Sequence, residues 1–293
     1  MTEAADLTGS ITIPGKLAAT WRGKPAGEAW LAQLPAMIAT LQRRWSLSLG
    51  TPFDNGMCAW VAPATTRDGT AAVLKIGIPH MEANDEIAAL RFWAGDPTAR
   101  LIDSDDAYNA MLLEQCIPGH SLHVLAEPEQ DAVIARLLKR LWRRPPAPHP
   151  FRGLSVMARH WIESSRVDAH RWPDAGLVRE GLRLMEELAR TTPNDVLLAT
   201  DLHAGNVLAA AREPWLVIDP KPFLGDPAYD ATQHLLNCQE RLAQDPMGLV
   251  RRFSDLLDVE YERVKLWMFA RIVAEPRDIW KPVSETARAL APS

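Results

Sequence analysis

Residues 197–219 read LLATDLHAGNVLAAAREPWLVID and contain three oxygen-bearing side chains around which the rest of the chain can be interpreted. Asp201 and Asn206 lie five positions apart among small residues, and Asp219 ends the apolar run at 215–218. Asp, Asn and Gly are also ordinary turn formers, so Asp201 and Asn206 alone could mark a plain loop. The apolar run that ends in Asp219 favours a functional interpretation.

This order of side chains suits phosphoryl transfer, for which protein kinases use an Asp, an Asn five residues later and a further Asp. A carboxylate can accept the proton that an attacking hydroxyl loses, so Asp201 is the candidate catalytic base. Mg²⁺ is a hard cation that takes oxygen ligands and needs few protein groups, so Asn206 and Asp219 are the candidate metal ligands. Positioning and charge neutralisation would supply most of the remaining catalysis.

A more particular resemblance lies in the next segment, where residues 218–230 read IDPKPFLGDPAYD. Together with DLHAGN at 201–206, it resembles the aminoglycoside kinases and their choline-kinase-like relatives. It is most similar to the streptomycin 6-phosphotransferase and hydroxyurea phosphotransferase subgroup, in which D-P-K-P stands where protein kinases have D-F-G. Many relatives read H-G-D at the catalytic Asp, whereas this chain reads A-T-D at 199–201.

The resemblance covers most of the chain and implies an α+β, bilobal protein-kinase-like fold. It predicts a small N-terminal lobe with an antiparallel sheet over residues 1–115, which also holds a helical preface and the helix carrying Glu86. It predicts a mainly helical C-terminal lobe over residues 116–293, with the catalytic loop and the acceptor-binding region.

The N-terminal half shows a helical pattern followed by strand patterns, as expected for the smaller lobe. Apolar residues at three- and four-residue steps predict an amphipathic helix around 30–41. Turn sequences then separate three predicted antiparallel strands, at 46–53, 57–64 and 71–76. The first turn contains Asn55 and Gly56. From local residues it could be a plain hairpin or a loop that covers ATP phosphates, and the resemblance favours the second, with Asn55 and Gly56 as nucleotide-binding residues.

Lys75 and Glu86 are the candidate phosphate-binding pair of the first lobe. Lys75 lies near the end of the third predicted strand, where it could extend to solvent from an edge strand or point into a cleft. Glu86 begins a predicted helix at 86–93, after the capping residues Asn84 and Asp85, and could simply compensate the helix dipole. The resemblance assigns Lys75 to the α- and β-phosphates of ATP and Glu86 to holding Lys75.

A hinge between the lobes is expected next. Two more predicted strands, at 100–103 and 110–114, precede a break in the pattern at 115–119. This arrangement resembles the kinase hinge, where backbone groups bind adenine. The expected pair is the carbonyl of Glu114 and the amide of Cys116.

The remainder of the chain is predicted to be mainly helical, with helices at 133–142, 154–167, 177–190, 231–238 and within 249–289. Asp226 is expected to cap the fourth of these helices, and Asp230 to bind backbone amides of the catalytic loop. His203 is expected to orient that loop through a hydrogen bond rather than to carry a proton. We expect no zinc site, because no second His or Cys lies at ligand spacing.

Composition limits the classes of partner. The 293 residues carry a formal charge of −5 and are 47% hydrophobic, which argues against nucleic acid and fits a cationic small molecule. The three cysteines are scattered, the N-terminus is polar, and no apolar run approaches the roughly 20 residues that span a bilayer. We therefore expect a cytoplasmic protein without a membrane partner. The oligomeric state stays open.

The function predicted from these features is ATP- and Mg²⁺-dependent O-phosphorylation of a hydroxylated, cationic small molecule. The resemblance implies the 6-hydroxyl of streptomycin or hydroxyurea as acceptor, and an unknown metabolite stays open. The alternative is a pseudokinase-like nucleotide-binding protein, motivated by the missing His-Gly and the weak glycine loop. Acceptor-binding carboxylates are expected among the acidic residues Asp255, Asp258, Glu260, Glu262, Glu275 and Asp278.

Overall fold

The computed structural model describes residues 11–54, 56–168, 174–192, 194–274 and 283–292. The chain divides into two compact units, the first formed by Met1–His80 and Ala99–Gln115, the second by Met81–Thr98 and Cys116–Ser293. Sequence analysis placed the helix that begins at Glu86 in the N-terminal lobe. In the structure it belongs to the second unit, because its residues Ala89 and Trp93 pack in that unit's core.

The first unit is built on a five-stranded antiparallel sheet in the order β1-β2-β3-β5-β4. Its strands are β1 (Ser48–Leu49), β2 (Ala59–Thr65), β3 (Ala71–Gly77), β4 (Leu101–Asp105) and β5 (Ala110–Glu114). The predicted antiparallel start is confirmed, although β1 is shorter than the predicted 46–53. Ser46 has a left-handed φ of 52°, and Pro52 has no N–H to donate to a ladder. The pairing still continues past β1, since the Gly50 amide donates to the Pro63 carbonyl at 2.8 Å.

Two helices, α1 (Gly15–Trp21) and α2 (Pro25–Arg44), precede this sheet. Three of the apolar positions predicted at three- and four-residue steps, Leu34, Ile38 and Leu41, are fully buried. They belong to one hydrophobic cluster with Leu74 and other sheet residues. The predicted helical preface is therefore confirmed as the element that covers the sheet.

The second unit is mainly helical. Its helices are α3 (Glu86–Trp93), α4 (Glu127–Leu141), α5 (Leu154–Asp168), α6 (Ala175–Leu188), α7 (Pro227–Asn237), α8 (Gln239–Gln244), α9 (Pro246–Leu257), α10 (Tyr261–Ala274) and α11 (Val283–Leu290). Its short strands are β6 (Pro118–Ser121), β7 (Val196–Leu198), β8 (Val207–Ala210), β9 (Leu216–Val217) and β10 (Phe223–Gly225). The four helices predicted at 133–142, 154–167, 177–190 and 231–238 are confirmed as α4, α5, α6 and α7, although their ends differ from the prediction. The region 249–289, predicted to be helical, corresponds to α9, α10 and α11 in the described residues.

Helix α10 lies at the centre of the second unit. It packs on α6 and α7, and its residues Trp267 and Phe269 are fully buried. Close packing on α6 depends on Gly181, because a Cβ there would lie 1.8 Å from a methyl carbon of Val273. The packing fixes α7, and hence its side chains, relative to α10.

Two small antiparallel ladders hold the segment quoted above. Strand β7 pairs with β10, with Leu198 opposite Phe223, and β8 pairs with β9, with Val207 opposite Val217. The loop that contains Asp201 follows β7 directly. Among the described residues, no helix is both long and apolar enough to cross a membrane.

Candidate active site

Asp230, on α7, fixes the backbone of the loop that follows β7. Its carboxylate accepts hydrogen bonds from the amides of Ala199 and Thr200, at 3.0 and 2.7 Å, and from the Trp142 indole N–H at 3.0 Å. Burial raises the pKa of Asp230 to about 6, while these donors lower it. The prediction that Asp230 binds backbone amides of this loop is confirmed.

Thr200 adopts a left-handed φ of 46°, which is strained for a β-branched residue. Strain of this kind costs on the order of 1–3 kcal/mol and persists only where neighbouring contacts hold it. Here the Thr200 hydroxyl donates to the Lys221 carbonyl at 2.6 Å, and the Lys221 amide donates to the Ala199 carbonyl at 2.8 Å. Thus Thr200, in the Ala-Thr that replaces the common His-Gly, ties this loop to the segment after Asp219.

Asp201 lies half-buried at the turn of this loop. Its Oδ1 accepts a 2.7 Å hydrogen bond from Nε2 of Gln233, on α7. The Asn206 side-chain amide donates to the Asp201 backbone carbonyl at 2.9 Å and lies 3.5 Å from Oδ2 of Asp201. Burial raises the pKa of Asp201, and the charges of His203 and Lys221 act in the opposite direction.

Asn206 ends the short 3₁₀ turn Ala204–Asn206. The predicted role of His203 is confirmed at the start of this turn, where its Nδ1 accepts from the Gly205 amide at 3.1 Å. The Asn206 carbonyl accepts from the Ile218 amide at 2.9 Å, so the residue before Asp219 is bonded directly to Asn206. The fold thus holds the segment before Asp219 against Asn206, and the Asp219 charge helps to raise the pKa of Asp201.

Asp219 follows β9 with a left-handed φ of 53°. The buried ammonium of Lys221 forms an ion pair with the Asp219 carboxylate and lies 3.4 Å from the Asp219 carbonyl oxygen. Sequence analysis quoted D-P-K-P only as a family signature and gave Lys221 no role. The structure shows that the lysine of this signature neutralises its aspartate.

The candidate phosphate-binding residues of the first unit are placed as follows. Lys75 is buried in β3, opposite Val61 on β2 and Met111 on β5. Gly56 lies between β1 and β2, where a Cβ would come within 2.7 Å of the Ala59 carbonyl oxygen. The position therefore requires glycine for steric reasons. Asn55 lies outside the described residues.

Glu86 is the first residue of α3 and is buried, with 2% of its surface exposed. Asp85 occupies the expected N-cap position, but its side chain does not cap the helix. Its carboxylate instead accepts a 2.8 Å hydrogen bond from the Arg152 guanidinium. The predicted N-cap position of Asp85 is confirmed, but its carboxylate binds a charged partner instead of the first amides of α3.

The two residues of the predicted hinge lie in different units. Glu114 ends β5, and its side chain accepts a hydrogen bond from the Arg100 amide at 3.1 Å. Cys116 begins the tight turn before Gly119, whose φ is 80° and whose hypothetical Cβ would lie 2.7 Å from the Cys116 carbonyl oxygen. Adenine binding by these backbone groups stays a prediction.

The carboxylates near the C-terminus are only partly described. Glu262 forms an ion pair with Lys265 at 3.1 Å, and Asp258 ends α9 with a left-handed φ of 59°. Glu275 and Asp278 lie outside the described residues.

Sequence reasoning missed a row of side chains behind Asp201. The Arg271 guanidinium, on α10, donates to Oε1 of Gln233 and to the Thr232 hydroxyl, both at 2.8 Å. Gln233 lies three residues after Asp230 on α7, so helical spacing could have placed it near the loop. Nothing local points to Arg271, because its position depends on the packing of α10 on α7.

The predicted capping of α7 by Asp226 is confirmed, since Asp226 Oδ1 accepts a hydrogen bond from the Ala228 amide at 3.0 Å.

A second buried cluster joins Asp131, His234 and Cys238, whose possible ligand atoms lie within 4.8 Å of one another. His234 and Cys238 are four residues apart, a common ligand spacing, so the expectation that no such pair lies at ligand spacing is wrong. However, Arg241 donates to both Asp131 oxygens, at 3.1 and 2.6 Å, and Asp131 also binds His234 at 2.8 Å. Burial raises the Cys238 pKa to about 12, which disfavours the thiolate that a metal needs. The cluster is best described as a buried ion-pair network.

Residues 44–276 match the family model described as aminoglycoside/hydroxyurea antibiotic resistance kinase. The chain belongs to this family. It is 37% identical to streptomycin 6-kinase from Streptomyces griseus, over 97% of this chain and 94% of that protein. It is also 37% identical to hydroxyurea phosphotransferase from Kitasatospora aureofaciens, over 86% of this chain and 74% of that protein.

Solved structures confirm the fold. A choline kinase from Streptococcus pneumoniae has a TM-score of 0.58 at 12% identity, covering 87% of this chain and 97% of that one. An aminoglycoside phosphotransferase from Streptomyces rimosus has a TM-score of 0.54 at 14% identity, covering 83% and 99%. The predicted α+β protein-kinase-like fold is thereby confirmed.

Family membership also confirms the predicted class of function. The chain is a small-molecule phosphotransferase, and its family implies ATP as the phosphate donor. No observation favours the pseudokinase alternative, and the sequence contains all five residues predicted for phosphoryl transfer, Lys75, Glu86, Asp201, Asn206 and Asp219.

Proposed function

We propose that this protein transfers the γ-phosphate of ATP to a hydroxyl of an aminoglycoside-like antibiotic, the 6-hydroxyl of streptomycin being the first candidate. The single observation that carries the proposal is the 37% identity to streptomycin 6-kinase along almost the whole of both chains. Hydroxyurea is the second candidate acceptor, since the similarity to hydroxyurea phosphotransferase is of the same degree.

Asp201 acts as the catalytic base in this proposal. As the acceptor oxygen attacks the γ-phosphorus, the hydroxyl proton passes to the Asp201 carboxylate, the bond from the γ-phosphorus to the bridging oxygen breaks, and ADP leaves. The acceptor hydroxyl would be aimed by the loop that Asp230 and Thr200 fix. The burial that raises the pKa of Asp201 makes its carboxylate a better proton acceptor.

Asn206 and Asp219 are the proposed Mg²⁺ ligands, and their chemistry fits that ion. Because the Asn206 Nδ2 atom donates to Asp201, its side-chain oxygen is the atom that can bind a cation. Asp219 supplies a carboxylate that already attracts the cationic Lys221 side chain. When bound, Mg²⁺ would neutralise phosphate charge on ATP.

The other sequence-derived roles are kept as proposals. Lys75 and Glu86 would act at the α- and β-phosphates, and Asn55 and Gly56 would cover the phosphates. The Glu114 carbonyl and the Cys116 amide would bind adenine. A cationic acceptor would suit the acidic balance of the chain, whose formal charge is −5.

The proposal is tested by incubating the purified protein with ATP, Mg²⁺ and either streptomycin or hydroxyurea. Mass spectrometry would detect the phosphorylated acceptor, and phosphorus NMR would locate the phosphate on streptomycin. We expect ADP and phosphorylated streptomycin in equal amounts. Transfer to hydroxyurea alone would select the second candidate, and transfer to neither would refute both.

A further inference from the structure

A line of hydrogen bonds runs from Asp201 into the core of the second unit. Gln233 donates from Nε2 to Oδ1 of Asp201 at 2.7 Å and accepts at Oε1 from the Arg271 guanidinium at 2.8 Å. Arg271 is buried, donates to the Thr232 hydroxyl, and stacks its guanidinium 4.8 Å from the Tyr229 ring centre. The line therefore ends in a cation that the core holds in place.

The donor and acceptor rules fix the direction of this line. A guanidinium has only donors, so it can bind Gln233 only through the side-chain oxygen. The amide nitrogen of Gln233 must then face Asp201, where an ionised carboxylate has only acceptors. A reversed Gln233 amide would oppose donor to donor at Arg271 and acceptor to acceptor at Asp201. The orientation of the amide thus follows from its two partners.

The same bond distinguishes the two oxygens of Asp201. Oδ1 is occupied by the Gln233 amide, whereas Oδ2 has only the long 3.5 Å contact from Asn206 within the described residues. An amide is a neutral donor, so it can hold a carboxylate in one rotamer without pairing it with a full charge. Such an arrangement suits a group that must turn one specific oxygen towards an acceptor hydroxyl.

We propose that Gln233 is a positioning residue that orients Asp201 for proton acceptance at Oδ2, with Arg271 fixing the Gln233 amide. This inference rests on the proposed role of Asp201 as base. Gln233 acts through Asp201 and touches neither ATP nor the acceptor. Removing it should lower kcat without changing ATP affinity, because misorientation of the base affects the transfer step and not nucleotide binding.

The test compares Gln233→Ala and Gln233→Glu with the wild type. Alanine removes the hydrogen bond, and we expect kcat to fall about 10–100-fold, as for other residues that orient a reactive group, with KM for ATP unchanged within about twofold. Glutamate keeps the size and the Arg271 pair but turns a carboxylate towards Asp201, so kcat should fall further. The matched control is Gln239→Ala, the same substitution at an exposed glutamine that begins α8, which should behave as wild type.

A double-mutant cycle with Asp201→Asn separates positioning from a general loss of structure. If Gln233 acts through Asp201, Gln233→Ala should have little further effect on the residual rate of Asp201→Asn. Full additivity, wild-type kcat in both Gln233 variants, or loss of folding in both would overturn the inference. Absence of transfer by the wild type with every acceptor would instead refute the proposed function.

Discussion

The two carboxylates of the candidate site are held by partners of different charge. Asp201 accepts hydrogen bonds from neutral amides, those of Gln233 and, weakly, of Asn206, whereas Asp219 is paired with the Lys221 ammonium. A carboxylate held by neutral donors stays basic, while a carboxylate held by a cation occupies a position that already attracts positive charge. The difference separates the proposed proton acceptor from the proposed metal ligand.

The backbone surroundings of Asp201 and Asp219 also differ. The loop of Asp201 is fixed from behind by Asp230, which binds two of its backbone amides. Asp219 sits in a left-handed conformation between β9 and the Pro-Lys-Pro segment. The hydrogen bond from the Thr200 hydroxyl to the Lys221 carbonyl joins these two supports. Asp201 and Asp219 therefore belong to one connected site, but their electrostatic surroundings differ.

The largest expected effect comes from removing the proposed base. Asp201→Asn should lower kcat about 10²–10⁴-fold, the range typical of a general base, because the amide cannot accept the proton. ATP binding, measured by calorimetry, should stay within about twofold of wild type. Asp103→Asn, at an exposed position on β4, is the control. Turnover by Asp201→Asn at the wild-type rate would show that Asp201 is not the catalytic base. The contrast between Asp201 as proton acceptor and Asp219 as metal ligand would then no longer hold.

The second effect concerns the support of the Asp201 loop. Asp230→Ala leaves two backbone amides and the Trp142 indole without their buried acceptor. Each unsatisfied buried donor costs about 1–3 kcal/mol, so the free energy of unfolding should fall by about 3 kcal/mol or more. Urea unfolding would measure it, with Asp255→Ala expected within about 0.5 kcal/mol of wild type. A loss for Asp230→Ala below about 1 kcal/mol would mean that the loop does not need this support.

A smaller effect is expected at the other carboxylate. Lys221→Met removes the ammonium that occupies Asp219, so a cation should bind with less competition. A hydrogen bond to a charged group is worth about 1.5–3 kcal/mol, and we expect the Mg²⁺ concentration for half-maximal nucleotide binding to fall about tenfold. Lys265→Met is the matched control, because this lysine is also buried and paired, with Glu262. An unchanged Mg²⁺ requirement would show that Lys221 does not compete at Asp219.

The smallest effect is expected from one donor to Asp230. Trp142→Phe removes the 3.0 Å indole hydrogen bond and should lower the free energy of unfolding by about 1.5 kcal/mol. This loss should shrink when Asp230 is already alanine. Trp161→Phe, at a half-buried position on α5, controls for the smaller ring. If both tryptophan variants lower the free energy of unfolding equally, the Trp142 indole hydrogen bond does not help to hold the loop.

The elements were predictable from sequence because their signals are local. Apolar spacing identified α2, α4 and α6, and turn sequences separated the strands of the first sheet. Asp226 could be assigned a cap because it directly precedes α7, and the resemblance to kinases supplied the role of Asp230, which lies about 30 residues from the amides it binds. Family signatures then supplied the protein-kinase-like fold.

What could not be predicted depends on tertiary packing. Arg271 reaches Gln233 only because α10 packs on α7, and no local pattern encodes that contact. The grouping of α3 with the helical unit is likewise decided by the burial of Ala89 and Trp93. Asp85 lies at the predicted N-cap of α3, but its carboxylate binds Arg152, 67 residues away, instead of the helix amides. Sequence analysis therefore found the candidate reacting groups but not the side chains that orient them.

The proposed roles of Asp201 as proton acceptor and Asp219 as Mg²⁺ ligand are tested most directly by measuring nucleotide affinity with and without Mg²⁺. A non-hydrolysable ATP analogue would be titrated calorimetrically into the wild type, Asp201→Asn and Asp219→Asn. We expect Mg²⁺ to strengthen binding in the wild type and in Asp201→Asn, and to have little effect in Asp219→Asn. Mg²⁺-dependent binding that survives in Asp219→Asn but is lost in Asp201→Asn would contradict the assignment of the two carboxylates.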